Sequence, residues 1–214
     1  MHLAGMNRYQ AFGIHFGISL LIFIGLVAMV LFVWYPGILK EVDESWQQAL
    51  IMIAGVDLVL GPLLTLIVFN PAKKSLKMDL SIIAAVQIAA LVAGTYTVHQ
   101  ARPLALYVSF PPAGFEILTA NTLTTETQLF LSDAEHPFYY YSGSELLGPP
   151  NTELTPADLS PTIDGEFVKF LESKAPKEMY LKDDQLILGV AMKAITLKFD
   201  QQGVFTGLVK DTSN

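Results

Sequence analysis

A bundle of three transmembrane helices followed by a small soluble α+β domain is the fold class the sequence predicts. Three observations predict it: an uneven distribution of charge, three long apolar runs in the first half, and short alternating segments in the second. Of 214 residues, 52% are hydrophobic and only 15% charged, against about 25% charged in a soluble domain. Residues 1–102 hold 11 charges with a net of +1, and residues 103–214 hold 22 with a net of −8. The first half has the composition of a membrane domain and the second that of an acidic, water-soluble one. This argues against a single soluble enzyme, a nucleic-acid binder with a basic face, and a disulfide-stapled scaffold. The chain has no cysteine, so disulfides, thiolate metal sites and cysteine catalysis are excluded within it.

The first span covers about residues 11–35. No charge occurs between Arg8 and Lys40, and the run is long enough to cross about 30 Å of hydrocarbon with some tilt. Trp34-Tyr35 suits the membrane–water interface, and Pro36-Gly37 ends the helix. Its length exceeds a secretory h-region and no small-x-small site follows, so it reads as an uncleaved anchor. The second span, about 50–69, contains one acid, Asp57, and is closed by Asn70-Pro71. The third, about 80–98, is free of charge between Asp79 and Arg102. Arg8, Lys73, Lys74 and Lys77 fall on one side of this arrangement; Lys40 and Arg102 fall on the other. The positive-inside rule then places the N-terminus and the lysine loop in the cytoplasm, and residues 103–214 on the far side. The four basic residues are topology anchors.

Asp57 is the most informative membrane residue. An acid within a span costs about 2.5–3.5 kcal/mol on insertion scales and faces protein or water. Pro62 removes a backbone hydrogen bond and predicts a kink near Leu58. Gly61 shares a helix face with Asp57 at i, i+4 spacing. Counting depth from the span ends, Thr95 and Tyr96 are the best donors to Asp57. Gln87 falls about two turns from its level, and His15 is a poor match. The acid is either neutral or hydrogen-bonded inside the bundle, or it meets a partner's transmembrane helix or takes part in a proton step. Small residues recur at four-residue spacing, Gly13 with Gly17 and Ala85 with Ala89 and Ala93. They suit close packing among the protein's own spans or docking of a foreign helix.

In the second half, Leu104–Phe110 alternates like a half-buried strand, and Phe115–Ala120 is a candidate partner. Residues 142–162 read as a proline-rich extended loop. Asp164–Lys174 suits a short helix with Phe167, Phe170 and Leu171 on one face. Ala194–Asp200 and Val204–Val209 form a hairpin around Gln201-Gln202-Gly203. Phe138–Tyr141 reads as core or strand rather than a binding platform. The lone domain histidine, His136, reads as a surface residue, and Asp183-Asp184 as a turn rather than a metal site. No phosphate-cradling glycine loop, Gly-x-Ser-x-Gly or His-Glu-x-x-His occurs. No cofactor, metal or catalytic residue is expected.

One stretch carries more. Arg8-Tyr9-Gln10-Ala11-Phe12-Gly13-Ile14-His15 opens the chain, and Trp34-Tyr35-Pro36 follows the first span. Gly55-Val56-Asp57-Leu58-Val59-Leu60-Gly61-Pro62-Leu63-Leu64-Thr65-Leu66-Ile67-Val68-Phe69 then leads through Pro71, Lys73-Lys74-Ser75-Leu76-Lys77 and Asp79-Leu80. Gln100-Ala101-Arg102-Pro103 ends the membrane part. Over about residues 7–105 the chain closely resembles the TfpX/TfpZ (FimB-type) family of type IV pilin accessory proteins. The resemblance implies a multi-pass protein of a bacterial inner membrane with a periplasmic C-terminal domain. It also implies a helper for a particular type IV major pilin, not an enzyme. The chain is not itself a pilin: its apolar run lacks an early glutamate, and Gly5 is followed by Met6-Asn7. Contacts with the pilin stem are expected at Asp57, Gly61, Pro62 and Gln87. The other readings are a pilin-modifying membrane enzyme, such as a glycosyltransferase, and a membrane-anchored ligand sensor.

Overall fold

Each apolar run of the first half folds as one long helix, a form that satisfies its backbone groups internally. The computed structural model describes residues 6–109, 114–143, 153–163 and 165–210. Three helices are long and apolar enough to cross a membrane: α1 (Arg8–Trp34), α3 (Ser45–Val68) and α4 (Leu76–Ala101). All begin before the apolar limits read from sequence, since the polar flanks at their N-terminal ends are helical too. At the start of α1, Asn7 closes a capping box. Its side chain accepts from the Gln10 amide at 2.9 Å, and its own amide donates to Gln10 Oε1 at 3.0 Å, satisfying two otherwise unpaired donors. Two π-helical turns interrupt the long helices, Val30–Trp34 in α1 and Gly55–Leu60 in α3. The second stands where Pro62 predicts a kink. Pro62 has no N–H to give, and the helix widens instead, so that the Gly61 amide donates five residues back to the Val56 carbonyl.

The chain divides into two compact units. One comprises residues 1–36 and 44–100; the other comprises residues 37–43 and 101–214. In the first, Leu26, Val30, Tyr35, Leu50, Ile53 and Val98 pack together at one end, where Trp34 meets His99 edge-on at 5.1 Å. Ala11, Phe69 and Leu76 close the opposite end. The charge count did not show that Gly37–Asp43 belongs with the second unit. The short helix α2 (Leu39–Val42) buries Leu39 and Val42 in that unit's core. Ion pairs reinforce it, Lys210 with Glu41 at 3.2 Å and Lys193 with Asp43 at 3.9 Å.

The second unit is built on one sheet, whose strands among the described residues run β4-β3-β1-β2-β6-β7-β8. They are β1 (Pro103–Ser109), β2 (Gly114–Thr119), β3 (Phe138–Tyr141), β4 (Leu159–Pro161), β6 (Gln185–Val190), β7 (Ile195–Phe199) and β8 (Phe205–Lys210). A two-residue β5 (Leu181–Lys182) pairs with β6. β1 pairs antiparallel with β2 and parallel with β3, and β2 pairs parallel with β6. The half-buried alternation expected for β1 is corrected: Ala105, Leu106, Tyr107 and Val108 are all buried. A central strand has core on both faces, and here Leu106 and Val108 enter one cluster while Ala105 and Tyr107 enter another.

Helix α5 (Thr125–Ser132), capped by Thr124, has no counterpart in the sequence reading. Helix α6 (Gly165–Lys174) forms as expected and buries Phe167 and Leu171. Phe115, Phe138, Phe167 and Phe199 form a connected aromatic core with ring centroids 5.1–6.2 Å apart. The terminal hairpin β7–β8 is antiparallel as expected. Its turn residue Gly203 has φ +83°, and a Cβ there would lie 1.8 Å from the Thr162 carbonyl oxygen. All of Phe138–Tyr141 is buried, so the aromatic run is core. Of the expected 142–162 loop, residues 144–152 lie outside the described residues, and the remainder contains β4.

Candidate functional site within the helix bundle

Polar side chains converge at mid-depth in the bundle. Ser19, Asp57 and Gln87 each sit eleven residues in from the same end, measured from Arg8, Val68 and Leu76. At 1.5 Å per residue that is about 16 Å along an α-helical axis. Ser19, Asp57 and Thr65 are 8%, 7% and 3% exposed. The Gln87 carboxamide donates to the Asp57 carboxylate, and His15 lies within electrostatic reach of the acid. His15 Nδ1 and Thr65 Oγ1 are hydrogen-bonded at 2.6 Å, tying α1 to α3.

The expectation that Thr95 and Tyr96 partner Asp57 is therefore corrected in favour of Gln87. The depth count had started α4 at residue 80, whereas the helix begins at Leu76. Tyr96 is 62% exposed, and its hydroxyl accepts from Gln100 instead.

Gly61 explains how Gln87 reaches the acid. A Cβ at Gly61 would lie 1.9 Å from Gln87 Nε2, so only glycine leaves room for the carboxamide. Asp57 and Gly61 thus share a face, as expected, and that face meets Gln87. Gly61 and Pro62 are buried within the bundle. The small-residue stripes also differ from the packing expectation. No atom lies within 4 Å of a Cβ built at Gly13 or Gly17, and Ala85, Ala89 and Ala93 are exposed. Gly94 is the packed one, its added Cβ meeting Ile53 at 3.0 Å.

The polar groups line a cavity of about 420 Å³, whose walls include Ile14, Ile18 and Ile22 of α1 and Leu80, Ala84, Ile88 and Leu91 of α4. A second cavity of about 200 Å³, toward Ala49 and Thr97, shares Asp57 and Leu91 with it. An apolar enclosure with a few convergent polar groups is the usual form of a binding site. Among the described residues no group of three metal-ligating side chains occurs. Asp183 and Asp184 instead form the β5–β6 turn, with φ +52° and +59°.

The basic anchors gather at one end. Arg8 and Asn70-Pro71 line a common surface hollow. Lys73 pairs with Asp79 at 2.5 Å, and Lys74 and Lys77 are exposed beside them.

Comparison with known proteins gives this bundle a context. The chain is 38% identical over 96 residues to each of three fimbrial assembly proteins of Dichelobacter nodosus, those of serogroup E1, of serogroups C1 and C2, and of serogroup I. The match takes in 44% of this chain. It spans 37% of the E1 and I proteins and 72% of the C1 and C2 protein. No family model matches the chain, and no solved structure does. At this identity and with this coverage of the serogroup C1 and C2 protein, the chain belongs to the family of these fimbrial assembly proteins.

Proposed function

We propose that the protein is a multi-pass inner-membrane accessory protein that assists the assembly of type IV pili by holding a cognate major pilin. It acts as a chaperone-like binder and catalyses no reaction. The observation that carries this reading is its membership of a family of fimbrial assembly proteins. The finer assignment to the TfpX/TfpZ type rests on the residue blocks around Asp57 and Lys73-Lys74.

The proposed topology has the N-terminus and the lysine loop in the cytoplasm and the second unit in the periplasm. The gathering of Arg8, Lys73, Lys74 and Lys77 at one end of the bundle supports it. So does the co-folding of residues 37–43 with residues 101–214, because three crossings bring both segments to the same side. A stored pilin subunit is a hydrophobic stem helix carrying a globular head. The bundle around Asp57 and Gln87 receives the stem, and the periplasmic unit contacts the head.

The test is deletion in the native cell, scored separately for surface pili, pilin level and mature pilin mass. The reading predicts reduced surface pili with unchanged pilin mass. A changed pilin mass supports a modifying enzyme instead, and unchanged piliation overturns the assembly role.

A further inference from the structure

The contact with a partner helix can be placed more closely than the family relation allows. The bundle core is apolar at both ends and polar at its middle, where the cavity is lined by α1 on one side and α4 on the other. Asp57 and Thr65 of α3 complete the lining. Asp57 is 7% exposed and lines this cavity. Gln87 also lines it, and its Oε1 is buried without a hydrogen-bond partner. Every such unpaired acceptor costs free energy in a medium without water. The unmet need is for a donor: an acid and an orphan carbonyl oxygen await an N–H or O–H group.

Depth restricts the source of that donor. A lipid head group stays near the interface, whereas these acceptors lie about 16 Å in from the helix ends. A donor reaches that level most readily on another transmembrane helix. The lining of α1 supplies a place for one. Ile14, Ile18 and Ile22 of α1 and Ile88 of α4 line the cavity and are 41–62% exposed. An apolar rim that is open in this way lets a second helix pack against it.

We infer that the seam between α1 and α4 seats the pilin stem helix, with the stem packed against Ile14, Ile18 and Ile88. A hydrogen-bond-donating or cationic group of the stem meets Asp57 and Gln87 Oε1. This rests on the pilin-holding function proposed above and differs from a docking face on Gly61 and Pro62, which are internal.

The test uses the full-length protein in native membranes with its pilin. A photo-crosslinking phenylalanine analogue replaces Ile18 or Ile88 in the seam, or Ile67 on the outer face of α3 as a control. Crosslinks to pilin from residues 18 and 88 but not 67 are expected. Asp57→Asn is expected to lower the seam crosslink by about tenfold. Pilin captured from residue 67 but not from 18 or 88 overturns the seam while leaving the pilin-holding function standing. A crosslinked dimer of this chain overturns the choice of occupant. Absence of pilin from all three positions, with normal piliation in the deletion strain, overturns both.

Discussion

The helix bundle and the sheet domain distribute polarity in opposite senses. In the bundle Leu21, Phe32 and Ile51 are 70–79% exposed while Ser19, Asp57 and Thr65 are buried. In the sheet domain Phe115, Phe167 and Phe199 are wholly buried while Glu166, Glu172 and Glu178 are exposed. With the bundle in a membrane, as proposed, one physical rule produces both patterns in two solvents. Water drives apolar surface into the sheet core at roughly 25 cal/mol per Å². Lipid gives no such drive between helices, so small residues, shape and polar contacts decide how helices meet. The difference teaches where to look for function: a buried acid is costly in lipid, and Asp57 is held by Gln87 from a different helix.

The largest expected effect breaks the domain side. Phe199→Ala removes the ring that links Phe115, Phe138 and Phe167 and is expected to cost about 3–5 kcal/mol. Denaturant-dependent proteolysis of the full-length protein measures it, and the domain is expected to be cleaved well before the bundle. Gly203→Val is expected to cost at least about 2 kcal/mol by the same assay. A branched side chain must adopt a left-handed backbone and collide with the Thr162 carbonyl.

The bundle counterpart is Gly61→Ala. The new methyl displaces the flexible Gln87 carboxamide, so the expected loss is that of one hydrogen bond to a buried acid, about 1–3 kcal/mol. It is read as a fall in melting temperature in detergent, with helix content retained.

Smaller effects sharpen the contrast by their sign. Thr162 Oγ1 and the Tyr180 hydroxyl are buried without hydrogen-bond partners in the sheet domain. Thr162→Val and Tyr180→Phe are therefore expected to be neutral or stabilising by up to about 1 kcal/mol, whereas removing polar groups from the bundle is expected to be harmful.

The pH dependence belongs to the domain side. Burial raises the Tyr139 and Tyr180 phenols above their ordinary value. Folded phenols that hold their protons longer contribute stability below about pH 10 that is lost as pH rises through their folded values. Asp158 runs the other way. Its carboxylate accepts from the Thr155 hydroxyl at 2.6 Å and the Thr155 amide at 2.9 Å, which lowers its proton affinity. Its contribution is present above the ordinary Asp range and fades as pH falls through the folded value. A pH series of denaturation midpoints on Asp158→Asn and Tyr180→Phe checks both signs.

The three apolar helices were legible because runs of this length have few other uses, but their ends were not. Arg8–Gln10, Ser45–Ala49 and Leu76–Asp79 are polar or mixed, yet they belong to the helices. The last of these errors propagated into the depth count and hid the Asp57–Gln87 pair. In the domain, β7, β8 and α6 followed from local periodicity and the Gly203 turn. The parallel pairings β1–β3 and β2–β6 join residues distant in sequence, and no local pattern reports them. Likewise no local pattern reports the ion pairs of Glu41 and Asp43. Their partners Lys210 and Lys193 lie near the other end of the chain.

The central claim is that the carboxyl group of the buried acid serves pilin handling in addition to the hydrogen bond by which it holds Gln87. Asp57→Asn keeps the size of the side chain and an acceptor for the Gln87 carboxamide while removing the carboxylate. Introduced into the deletion strain, this variant is predicted to accumulate in the membrane like the parent and to leave surface piliation at the level of the deletion. Normal accumulation with full piliation would contradict the claim.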